Sequence, residues 1–134
     1  MRGTRSKCDF VQARDENIME VYRSVRSSKS YFGSKNAYCC ITANSPARKH
    51  WISSECAYKG LLRLLKGDLM PEVMSIRREL FLELYALMVK ERAAGNTQPL
   101  RYVCEKIIEA PAKKFYISGG RVRFIVNQHE RRRK

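Results

Sequence analysis

A nine-residue stretch occurs twice in this chain and constrains its fold more than any other feature. Residues 45–53 read SPARKHWIS and residues 110–118 read APAKKFYIS; aligned without gaps they share five identities, and the other four positions exchange residues of related character. Each copy follows a short apolar-periodic segment and is preceded, at similar distance, by a helix centred on a tyrosine, Tyr22 or Tyr85. Duplication of one structural unit accounts for that shared context. In 134 residues there is room for one compact domain, or for two small units sharing a modest core.

Periodicity around the repeat predicts three helices per copy. Ile18, Val21, Tyr22 and Val25 fall at i, i+3, i+4 and i+7, giving a first amphipathic helix over residues 15–28. Ser34 is placed to cap a second helix holding Ala37, Tyr38 and Ile41, which ends near Asn44 because Pro46 restricts Ser45 to extended geometry. After an extended connector, Ser53 caps a third helix with Glu55 in its first turn and Ile52 stapled on Ala57. Its inward positions are Ala57, Leu61, Leu64 and Leu65, and Gly67 stops it.

The second copy follows Pro71. A fourth helix turns Ile76, Leu80, Phe81, Leu84, Tyr85 and Met88 inward and Glu79, Glu83 and Lys90 outward, closing at Gly95. Thr97, with Pro99 in the first turn, opens a fifth helix with Leu100, Val103, Cys104 and Ile107 inward, and Pro111 ends it. Residues 114–126 taken alone make a good β-hairpin around Gly119 and Gly120. Their alignment with the third helix favours a sixth, with Val122, Ile125, Val126 and His129 inward and Ile117 stapled on Val122. The expected fold is therefore all-α, a tandem repeat of a three-helix, helix-turn-helix-like unit. The units span 15–70 and 71–130, flanked by a basic arm at 1–14 and a basic tail at 131–134. The alternative is a C-terminal β-hairpin wing at 114–126.

Charge narrows the partners. Lys and Arg number 27 against 13 acids, a net +14 that repels itself unless an anionic partner relieves it. The excess is uneven: residues 71–110 carry six basic and six acidic side chains, and residues 111–134 carry eight basic and one acidic. No apolar stretch approaches bilayer length, because the strongest, 80–89, is interrupted by Glu83. The first dozen residues lack the apolar core of a secretion signal, and five cysteines, an odd number, read as reduced thiols. These features lead us to expect a cytoplasmic protein with no membrane partner.

Three groups of residues are candidates for nucleic-acid binding. Arg48 and Lys49 precede Trp51, and Lys113 and Lys114 precede Tyr116, each set just ahead of a helix start. Cations neutralise phosphate, helix N-termini offer N–H groups, and an exposed ring can stack on a base; one ring of each connector is expected in the core. Lys59, Arg63 and Lys66 form a basic face opposite the leucines of the third helix, and Arg121 and Arg123 hold the matching region of the sixth. A basic face is ordinarily just a solvated one, but three aligned cations in so charged a chain favour binding. Arg131, Arg132, Arg133 and Lys134 add sequence-independent attraction.

Chemistry-bearing motifs are missing. Adjacent Cys39 and Cys40, with distant Cys56 and Cys104, lack zinc spacing, and Gly119 and Gly120 are followed by no phosphate-loop pattern. Sequence places no acid or nucleophile beside His50 or His129. The expectation is a non-enzymatic protein with no catalytic residue, metal, cofactor or small-molecule substrate.

The duplicated Pro-Ala-basic-basic-aromatic-aromatic-Ile-Ser stretch resembles one found twice in small basic proteins of gut Bacteroidetes and their phages or mobile elements. The resemblance covers residues 15–130 and implies that the cell is bacterial, but it implies no activity and no functional residues. The second copy departs from the first at Gly119 and Gly120, where Ser54 and Glu55 stand in copy one. The expected function is nucleic-acid binding, DNA ahead of RNA, through two equivalent helix-turn-helix-like heads that present the third and sixth helices. The rival is a virion-associated structural or accessory protein that docks on an acidic protein surface.

Overall fold

The structure, a computed structural model, describes residues 5–28, 33–68 and 75–132, with side chains of the first helix described from Phe10 onward. Among these residues are six α-helices: α1 (Arg5–Ser27), α2 (Lys35–Ala43), α3 (Ser54–Leu65), α4 (Ser75–Ala93), α5 (Leu100–Ile107) and α6 (Gly119–Arg132). The only sheet-like pairing among them is an isolated antiparallel bridge between Ala47 and Ala112. The all-α expectation holds, and the hairpin alternative at 114–126 does not form.

Local chemistry explains the helix ends. Ser34 Oγ accepts from the Ala37 N–H (3.2 Å), and Ser53 Oγ accepts from the Cys56 N–H (3.1 Å). Ser118 does the same for the Arg121 N–H (3.1 Å), so α6 starts with the capping chemistry of α3. Gly119 opens α6 because a Cβ there would lie 2.7 Å from the Cys40 Sγ and 3.3 Å from its Cα. Gly67 and Gly95, at φ 83° and 99°, take the left-handed geometry that follows α3 and α4. Two starts differ from expectation. Pro99, not Thr97, occupies the N-cap of α5 and offers no side-chain bond. Helix α1 begins at Arg5 rather than near Asp15, so the expected arm at 1–14 is helical over most of its length. Part-buried Val11 and Arg14 prolong the Ile18 stripe, and the Arg14 guanidinium bonds Asp15 at 3.0 Å.

The grouping of helices also departs from the expected one. The chain forms two compact units, the first made of Met1–Arg48 with Ala112–Lys134 and the second of Lys49–Pro111. In the first, α2 packs on α1 and α6, and α1 on α6; in the second, α3 packs on α4 and α5, and α4 on α5. The units are thus not 15–70 and 71–130, because each third helix joins the helix pair of the opposite copy. With α2 and α3 in different units, and likewise α5 and α6, the expected pairing of each second helix with the third helix that follows it does not form. The physical reason is that α3 and α6 bury equivalent positions, so either helix pair can accept either one; each connector, opening with a bend at Ser45 or Ala110, carries the chain into the other unit.

The connectors share their conformation. Residues 45–54 and 110–119 follow the same series of bends, bridge and helix start, position for position. Within the first unit, Ala47 and Ala112 exchange two backbone bonds of 3.0 Å, and the Phe115 N–H donates to the Ala43 carbonyl (3.3 Å). Within the second, the His50 N–H donates to the Ile108 carbonyl (2.9 Å), and these are the positions aligned with Phe115 and Ala43.

Both units bury the same helix positions. Ala57, Gly60 and Leu61 of α3 align with Val122, Ile125 and Val126 of α6, and Cys39, Thr42 and Ala43 of α2 with Cys104 and Ile107 of α5 and its C-cap Ile108. The first unit adds Ile18, Met19, Tyr22 and Val25; the second adds Leu80, Phe81, Leu84 and Met88. A Cβ on Gly60 would collide with the Phe81 ring, which explains a glycine in mid-helix. The outer face of α4 is less sheltered than its pattern suggested. Leu82 and Val89 are 49% and 46% exposed, Ile76 and Tyr85 also reach solvent, and so does Leu65 of α3.

Candidate nucleic-acid interface

Charge separates with the units. The first holds 17 Lys and Arg against 5 Asp and Glu, a net +12; the second holds 10 against 8, a net +2. Ion pairing widens the contrast. In the second unit Lys49 meets Glu109 (2.7 Å), Arg63 meets Asp68 (2.8 Å), Arg101 meets Glu55 (2.9 Å) and Lys106 meets Glu91 (2.9 Å), while Lys59 lies 3.8 Å from Glu55. On the expected basic face of α3, Lys59 and Arg63 are therefore opposed by Glu55 and by Asp68 just beyond the helix. Hydrogen bonds from Asn96 and then Lys106 keep the Glu91 carboxyl below the usual range, and the bond to Glu55 holds the Arg101 guanidinium above its own. Arg101 also lies over the Tyr58 ring, 4.2 Å from its centre.

In the first unit the acids engage other cations. Arg14 pairs with Asp15, Lys35 with Glu130 (2.6 Å) and Arg48 with Glu20 (2.8 Å). The Arg48 backbone N–H donates to Asn17 Oδ1 (3.0 Å), a buried amide that fixes the start of this connector. On α6, Arg123 turns to Asn36 (2.5 Å), whereas exposed Arg121 and Arg132 make no ion pair among the described residues. Arg121 lies over the Phe124 ring at 5.2 Å, and that ring is 49% exposed.

Each expected site residue now has an address. Arg48, Lys113, Lys114, Tyr116, Arg121, Arg123, Arg131 and Arg132 belong to the first unit; Lys49, Trp51, Lys59, Arg63 and Lys66 belong to the second. Arg133 and Lys134 lie outside the described residues, as do the side chains of Arg2, Arg5, Lys7 and Cys8. The paired cations Arg48 and Lys49 fall on opposite sides of the unit boundary. One ring of each connector is buried, His50 and Phe115, while Trp51 and Tyr116 remain half-buried. Lys49 sits 5.5 Å from the centre of the Trp51 ring. Tyr116 adopts φ 57°, a left-handed geometry that costs a side-chain-bearing residue about 1–2 kcal/mol.

Sequence reasoning missed two features. With α6 established as a helix, Arg121, Phe124, Gln128 and Arg132 follow at i, i+3, i+7 and i+11, an exposed stripe mixing cations, a ring and an amide. The stripe borders a cleft of about 390 Å³ in the first unit, whose other wall is α1 with Val11, Gln12, Arg14, Asp15 and Glu16. The second feature is interior. Glu83, expected on an outward face, meets His50 Nε2 at 2.5 Å, while His50 Nδ1 lies 3.0 Å from the Ala110 carbonyl. The carbonyl can only accept, so Nδ1 carries a proton and Nε2 shares one with Glu83. The His50 side chain has no exposure, which leaves no access for a substrate.

The buried thiols are inert by the same reasoning. Burial pushes the Cys104 thiol up to about 11 and raises that of Cys39, keeping both protonated. Cys39, Cys40, Cys56 and Cys104 form no disulfide. Among the described residues, no group of three or more His, Cys, Asp or Glu is placed to hold a metal ion, and no helix is long and apolar enough to cross a membrane. Comparison with protein-family models, with curated proteins and with solved structures finds no match for the chain.

Proposed function

We propose that the chain is a non-enzymatic nucleic-acid-binding protein, with DNA favoured over RNA, and that its first unit makes the contact through α6 and the adjoining connector. The observation that carries this reading is the segregation of charge, +12 against +2, together with an α6 surface whose exposed Arg121 and Arg132 make no ion pair among the described residues. Phosphates meet Lys113, Lys114, Arg121 and Arg132, and the C-terminal Arg131, Arg133 and Lys134 extend the attraction. The proposal replaces two equivalent basic heads with one. Affinity for labelled DNA should fall with salt by about 0.9 in log–log slope per phosphate neutralised. An affinity indifferent to salt would remove its basis. Competition by RNA of the same length orders the two polymers.

A second reading is favoured by the exposed stripe of Leu82, Tyr85 and Val89, at i, i+3 and i+7 on α4 of the nearly neutral unit. On this reading the second unit docks on another protein, as an accessory or virion-associated protein would, while the first holds nucleic acid. Purification after nuclease treatment tests it. A stoichiometric protein partner lost in L82E/V89E supports this role, and a partner retained by that variant contradicts it.

A further inference from the structure

The cleft between α1 and α6 has walls of different chemistry. On the α6 side the exposed Phe124 ring stands between Arg121, one turn before it, and Gln128, one turn after it. Arg132 follows a turn later. On the α1 side Arg14 is paired with Asp15, and exposed Glu16 presents a carboxylate. A ring half exposed to water beside two cations is ill placed for the core and well placed for a flat anionic ligand.

We propose that this cleft holds one unpaired nucleotide of a bound strand, its base stacked on Phe124. The inference deepens the nucleic-acid reading and rests on it. The Glu16 carboxylate on the α1 wall repels phosphate but accepts hydrogen bonds from the amino and imino groups of a base, so the base points inward and the backbone runs along α6. Arg121 and Arg132 are eleven residues apart, about 16 Å along the helix axis, and so meet different phosphates of one strand rather than a single one. Gln128 offers a donor and an acceptor to the edge of the stacked base. That edge must be unpaired to be read, and a cleft of about 390 Å³, near the low end of the roughly 300–1,000 Å³ of small-ligand sites, suits one base rather than a base pair. The aligned positions of α3 place Cys56 at Arg121 and Lys59 at Phe124, so α3 has no ring there.

The test uses the full chain and measures affinity for a mixed-sequence single strand and a blunt duplex of equal length. Because Phe124 is 49% exposed, Phe124→Ala should keep its thermal midpoint. It should weaken the single strand by about tenfold, as expected for one stacked base, and the duplex by less than about twofold; Phe124→Trp should restore binding. Equal losses on both polymers, or none on the single strand, overturn the proposal while leaving nucleic-acid binding intact. Failure of the native chain to bind either polymer overturns both. As a direct readout, photo-crosslinking of an iodouracil-containing strand should give its main adduct on the peptide holding Phe124, and a main adduct elsewhere contradicts the assignment.

Discussion

The two units bury matching positions on their second and third helices yet present different surfaces. The first covers Met19 and Tyr22 of α1 and carries on α6 two exposed cations, Arg121 and Arg132, that make no ion pair among the described residues. The second leaves Leu82, Tyr85 and Val89 of α4 exposed and ties its cations to neighbouring acids. The contrast teaches that buried pattern and surface chemistry vary independently. Ala57, Gly60 and Leu61 bury the same face as Val122, Ile125 and Val126, while Lys59 and Arg63 stand where Phe124 and Gln128 do.

The largest expected effect comes from erasing an interior difference. His50→Phe gives the second connector the ring that Phe115 supplies to the first, but strands Glu83 beside it. Stability should fall by about 3–5 kcal/mol in denaturant unfolding, and H50F/E83L should recover most of it. A fully stable single variant would show that the pair is not an interior constraint.

Charge is the next lever. Reversing Arg121 and Arg132 to Glu should weaken DNA binding about 100-fold at low salt and flatten its salt slope by about two phosphates. Reversing Lys59 and Arg63 should change it less than about threefold, because Glu55 and Asp68 already oppose them. Similar losses in both variants would restore the two-headed arrangement. Gly60→Ala, which meets the Phe81 ring, should destabilise by about 1–3 kcal/mol with DNA affinity unchanged once folded.

The smallest effect is a pH dependence. Folding raises the Cys104 thiol from 9.0 to about 11, so the unfolded chain releases that proton first. The stabilisation is complete below pH 9 and declines as pH rises toward 11. Cys104→Ala should flatten that part of the pH–stability curve, and an unchanged slope would mean that other groups set it.

Much of the fold was legible from sequence. Ser34 and Ser53 announced helix starts, Gly67 and Gly95 announced ends, and alignment with the third helix favoured over a hairpin a sixth helix, which in the structure begins at Gly119 after the Ser118 cap. The partners of the third helices were not legible. Periodicity names the face a helix buries, but α3 and α6 carry the same buried positions, so either helix pair satisfies the pattern. Of the interface, Arg121 and Arg132 were readable as charge. Phe124 and Gln128 were hidden while residues 114–126 could still be a hairpin, in which Phe124 would be one more alternating residue. Glu83 read as outward because its acceptor role depends on His50, 33 residues away in sequence.

Lysine footprinting of the full chain by an amine-reactive reagent and mass spectrometry, with and without saturating DNA, tests the central claim most directly. Binding through the first unit predicts that Lys113 and Lys114 become protected while Lys59 and Lys66 keep reacting. Protection centred on Lys59 and Lys66, or spread equally over both sets, would contradict it.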